Sequence, residues 1–174
     1  EGQRYVLMVE PNQVYLTRDR NVLPEAKLAD ARRAVSKELR KNAAVAAAFT
    51  AEDLAAPSTA DDPLRRQIRL SYYPERSGDV LFALQPYHTQ FRTIDKPNGP
   101  WDATTHGSPW EYDTHVPLVF VGAGIRAGRH AAPASPAQVA PTLARLLGVD
   151  APKESQEPPL EAALAASSPA SSAD

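Results

Sequence analysis

Two short stretches without a charged or amide side chain, Val80-Leu81-Phe82-Ala83-Leu84 and Val116-Pro117-Leu118-Val119-Phe120-Val121, limit what this chain can become. They are too short for core helices and show no polar alternation. Each therefore reads as a strand covered on both faces, the habit of parallel or mixed α/β sheets. Gly78 and Pro86 bound the first run, and Gly122-Ala123-Gly124 ends the second.

The remaining periodicity fills in partners for these strands. Val6 to Val9 and Val14 to Leu16 read as adjacent strands around Pro11-Asn12, where Pro presets φ and Asn tolerates the left-handed region. Between Pro24 and Arg40 the residues Leu28, Ala31, Val35 and Leu39 recur at three- and four-residue steps, which predicts an amphipathic helix. Ala43 to Phe49 reads as a short strand, and Thr50 to Asp53 as the start of a new helix. Asp61 with Pro63 opens another helix through Leu64 and Ile68. Ser135-Pro136 opens a further one, with Val139, Leu143, Leu146 and Leu147 as its apolar stripe and Gly148 as its stop.

Charge and composition exclude several function classes. The 19 Lys and Arg residues against 21 Asp and Glu give no broad basic surface, so nucleic acid is not an expected partner. There is no Cys, so any zinc would have to use His and carboxylates. No apolar run approaches the roughly 20 residues of a membrane span. The opening EGQRYVLMVE lacks the layout of a signal peptide and reads as interior sequence, which leads us to expect an N-terminal part of the same polypeptide before Glu1.

The chemistry is concentrated in the loop between the two apolar runs, at Thr104-Thr105-His106-Gly107-Ser108-Pro109-Trp110-Glu111-Tyr112-Asp113. A His among small residues at a strand end is sterically open to a metal ion, and loops at strand ends are where open α/β sheets place their sites. Gly107 lets the backbone come close. Thr105, Ser108 and Asp113 are candidates for orienting the imidazole or holding the loop. His88, His115 and His130 read as surface or structural residues, and Arg76 with Asp79 as an ion pair bracketing Ser77-Gly78.

The stretch TTHGSPWEYDTHVPLVFVGAGI resembles the alkaline phosphatase superfamily of phosphatases and type I phosphodiesterases. NQVYLTRD, YYPERSGDVLFAL and SPAQVAPTLARLLGV resemble further family segments in the same order, so the likeness runs over about residues 5 to 150. It departs at Gln138, where many relatives have Asp. The resemblance implies an α/β fold, the C-terminal part of a three-layer α/β/α sheet. Residues 1–60 would be a small inserted α+β unit, 61–150 the C-terminal part of the metallohydrolase domain, and 151–174 a Pro/Ala/Ser-rich tail, expected to be disordered.

The same resemblance makes His106 a ligand to one of two zinc ions and implies hydrolysis of phosphate monoesters. It implies no catalytic nucleophile here, since the family's Thr or Ser and its Asp-His motifs precede this segment. The chain is then expected to be inactive alone. A nucleotide pyrophosphatase or phosphodiesterase of the same superfamily, and a non-catalytic interaction module, are the alternatives. The resemblance also implies a periplasmic or secreted location.

Overall fold

The computed structural model describes residues 5–57, 62–90 and 106–165. Contacts divide the chain into two units, Glu1–His115 and Val116–Asp174. The first unit carries four strands, β1 (Val6–Glu10), β2 (Gln13–Leu16), β3 (Val45–Thr50) and β4 (Val80–Leu84), in the order β1-β2-β4-β3. All three pairings are antiparallel. The both-faces burial expected of Val80–Leu84 is therefore met without parallel neighbours.

Helices on either side of the sheet explain how. Helix α1 (Glu25–Leu39) lays Val35 and Leu39 against Val14, Val45, Ala48, Val80 and Phe82. On the other face α2 (Ala51–Ala55) and α3 (Pro63–Leu70) contribute Leu54, Leu64 and Ile68, which pack with Phe49, Leu81 and Ala83. Successive β4 residues thus feed opposite cores, as strand geometry requires. The result is a three-layer arrangement of helix, sheet and helices, in agreement with the expected fold class.

Local signals act where the sequence places them. Thr50 caps α2 in a reciprocal box with Asp53: Thr50 Oγ1 accepts the Asp53 N–H at 3.1 Å and Asp53 Oδ2 accepts the Thr50 N–H at 2.8 Å. The cap of α3 is Asp62, whose Oδ1 accepts the Arg65 N–H at 3.0 Å; Asp61 lies outside the described residues. Gly78 permits β4 to begin against β2, because a Cβ there would stand 2.8 Å from the Val14 carbonyl oxygen.

Asp79 does not pair with Arg76. Its buried carboxylate accepts the Leu16 N–H at 2.7 Å and hydrogen bonds from Arg18 and Arg32, the shortest of these at 2.7 Å from Arg32 Nη2. Arg32 also reaches Glu52 at 2.5 Å, whereas Arg76 lies over the Tyr73 ring. Asp79 lies in the bend just before β4, where Arg32 of α1, Arg18 beyond β2 and the Leu16 N–H all reach it, and a buried carboxylate takes the donors it meets.

The second unit contains α5 (Val139–Leu147), which follows a 3-10 turn at Pro136–Gln138 and ends at Gly148 in the left-handed conformation, φ 65°. Gln138 Oε1 accepts the Ser135 N–H at 2.9 Å, so the residue that departs from the family pattern still completes a cap. Buried Thr142 accepts the Leu160 N–H at 2.8 Å, and the Arg126 N–H donates to the Ala163 carbonyl at 2.9 Å. Residues 160–165 are thereby fastened in place, an attachment that composition does not foretell. The expected disorder of the tail falls, beyond residue 165, outside the described residues.

The strand expected at Val116–Val121 is not formed. The stretch has no ladder pairing, and Val119 and Val121 are 75% and 91% exposed. Apolar content supplies the preference for a strand, but the backbone also needs a neighbour to exchange hydrogen bonds with, and none runs beside it among the described residues.

Candidate active-site loop

His106 is exposed at the head of an irregular stretch that leads into α4 (Glu111–Thr114). Gly107 takes φ 98°, a left-handed conformation that L-residues with a Cβ avoid, although nothing lies within 4 Å of where a Cβ would be. Its role is therefore conformational and not a matter of space. Thr105 lies outside the described residues.

Three contacts hold this loop. Asp113 Oδ2 accepts the Ser108 N–H at 2.9 Å across the first turn of α4. The indole N–H of Trp110 donates to the Leu84 carbonyl at 3.0 Å, fastening the start of α4 to the end of β4. Asn12, in the left-handed conformation at φ 65°, donates through Nδ2 to the Gly107 carbonyl at 3.4 Å, a long bond that links the β1–β2 turn to the loop. Asn12 and Trp110 are positioning residues whose roles depend on contacts between distant segments.

The electrostatics follow from these contacts. The Ser108 hydroxyl and then its N–H hold the Asp113 carboxyl below the usual carboxylate range, and the His106 ring adds to the same effect. Ser108 Oγ has no hydrogen-bond partner, so the Ser108 N–H is the contact with Asp113 that the geometry supports. Beneath the loop lies a cavity of about 340 Å³ lined by Asn12, Gln67, Ile68, Phe82, Ser108 and Thr114 among others.

The other histidines stand apart from this arrangement. His115 lies 3.9 Å from Glu111 with both side chains solvent-facing, a pair of little energetic weight. His88 Nδ1 is 3.0 Å from the Pro86 carbonyl. Among the described residues no three His, Asp or Glu side chains converge as metal ligands. A zinc site needs about four donors, so the described residues do not by themselves make one, and His106 is an exposed side chain among them. No helix among the described residues is long and apolar enough to cross a membrane.

No family model matches the chain. It is 33% identical over 123 residues to alkaline phosphatase PhoK of Sphingomonas sp, an alignment covering 68% of this chain and 22% of that protein. With alkaline phosphatase PhoD of Zymomonas mobilis it shares 34% identity over 132 residues, covering 73% of this chain and 22% of the relative. The crystal structure of wild-type alkaline phosphatase PafA superposes with a TM-score of 0.67 at 27% identity, covering 88% of this chain and 28% of PafA. The chain thus spans between about a fifth and three tenths of the length of these relatives. Sequence and fold agree that it belongs to the alkaline phosphatase superfamily.

Proposed function

We propose that this chain is the His106-bearing part of a zinc-dependent hydrolase of phosphate monoesters, giving the metal centre one imidazole and the reaction no nucleophile. The observation that carries the reading is an exposed His106 set beside Gly107 and Ser108, whose backbone is held by Asn12 and Asp113. A ligand bound to a doubly positive ion must be presented in one orientation, and a loop held on two sides does this better than a free one. Zinc, when bound, would supply electrostatic stabilisation of the phosphoryl oxygens. The remaining ligands and the nucleophile would come from polypeptide outside this stretch, and relatives roughly three times as long leave room for them. The family resemblance favours an exported location.

The test uses the full-length protein carrying His106→Ala. Hydrolysis of p-nitrophenyl phosphate is expected to fall roughly 100-fold or more, with a matching loss of bound zinc, because even residues behind the ligands cost 10- to 100-fold. Unchanged activity and zinc content would overturn the reading. Parallel assay of bis(p-nitrophenyl) phosphate separates the monoesterase from a phosphodiesterase, whose corresponding segment more often has Tyr-Asp where this chain has Ser108-Pro109.

A further inference from the structure

Directly after β4 the chain does something costly. Tyr87 sits at φ 62°, in the left-handed region, where a bulky residue is an outlier and Gly or Asn would turn the chain with less strain. The conformation is held from outside the turn: the Tyr87 N–H donates to the Tyr112 hydroxyl at 3.0 Å, and the two rings stack with centroids 4.8 Å apart and planes within 15°. Trp110, anchored on the Leu84 carbonyl, closes the loop between the two tyrosines.

The strain brings no burial in return. Tyr87 is 87% exposed and Tyr112 45%, so one face of the outer ring is offered to solvent while the other rests on its partner. Strained residues of this kind collect where a ligand is gripped. Tyr112 and Asp113 are successive residues of α4, and the Asp113 carboxylate holds the loop that bears His106. The aromatic pair and the candidate ligand are therefore tied to the same helical turn.

We infer that the stacked Tyr87 and Tyr112 form a platform for the flat leaving group of the substrate, so that esters carrying an aryl ring or a nucleobase are preferred over aliphatic ones. This rests on the phosphate-ester reading above. The platform is uncharged, and ring stacking is indifferent to which flat group arrives. Phenyl phosphate and adenosine monophosphate therefore represent the two sources of a ring, and glycerol phosphate the ester without one.

In the full-length protein, kcat/KM is measured for these three esters. The preference for the ring-bearing esters over glycerol phosphate is expected to fall roughly 5-fold in Tyr87→Gly, chiefly through KM, and to persist in Tyr87→Phe. Glycine suits the backbone at this position, so the variant is not expected to misfold. A preference unchanged in Tyr87→Gly overturns the platform. If none of the esters is hydrolysed, the phosphate-ester reading fails, and calorimetry with phenylphosphonate and methylphosphonate then decides the platform separately. Tighter binding of the phenyl compound that is lost in Tyr87→Gly sustains it, and equal affinity removes it.

Discussion

Asp113 Oδ2 receives the backbone N–H of Ser108 at 2.9 Å, which closes a loop between positions five apart, immediately after His106 and Gly107. One carboxylate thus shapes the backbone that presents the imidazole, and among the described residues it belongs to no group of three metal-ligating side chains.

Removing that acceptor should loosen the loop and little else. In Asp113→Ala the Ser108 amide loses its partner, and its hydrogen exchange is expected to become faster while amides of β4 keep their protection. Equal exchange at Ser108 in the parent and the variant would show that Trp110 and Asn12 hold the loop unaided.

A larger effect is expected at Asp79. Its side chain is fully buried and neutralises Arg32, whose own side chain is only 17% exposed. Asp79→Ala leaves the Leu16 N–H without its acceptor and Arg32 with only the half-exposed Glu52, and breaking such a buried pair costs roughly 3 kcal/mol. Urea unfolding measures it; a loss under about 1 kcal/mol would mean that water replaces the carboxylate.

Acid should weaken the same network at its outer end. Burial pushes the Glu52 carboxyl up, but the hydrogen bonds from Arg32 and from the backbone, with the Arg32 charge, outweigh it and leave the group below its ordinary 4.5. A carboxylate depressed in the folded state stabilises fully above its unfolded value and loses this as pH falls through its folded value. Melting temperature should therefore decline below about pH 4.5 by a component that Glu52→Gln abolishes. The component is expected to be small, because Glu52 is nearly half exposed and screened by solvent.

Gly78→Ala tests the close approach of β4 to β2. The added methyl would stand 2.8 Å from the Val14 carbonyl oxygen, a backbone atom with no rotamer to yield. A loss of roughly 2 kcal/mol in denaturant unfolding is expected from such overpacking; a neutral outcome would mean that the Ser77–Asp79 backbone shifts freely.

What could be read from the residues was what depends on neighbours in sequence. The Leu28–Leu39 stripe, the Thr50–Asp53 box and the Gly148 stop each act within a single helix, and their structure follows from side-chain type and spacing. Asp79 departs from the expected pairing with Arg76 because its donors are not local: Arg18 and Arg32 lie 61 and 47 positions away. The Asn12 contact with Gly107 crosses 95 positions and left no local trace. At Val116–Val121 composition specified an extended backbone but not what lies beside it, and a ladder requires both. The THGS motif pointed to His106, while the strained Tyr87 carried no signal, since nothing in Pro-Tyr-His dictates a positive φ.

The outermost strand carries a practical consequence. In β1, Leu7 is 69% and Val9 49% exposed, and its far edge has no ladder partner among the described residues. Such a ribbon is oily on its surface and has a row of amides and carbonyls ready to zip onto another chain. Handled at high concentration by itself, this polypeptide should grow into oligomers, and a lysine substituted at Leu7 should keep it in solution.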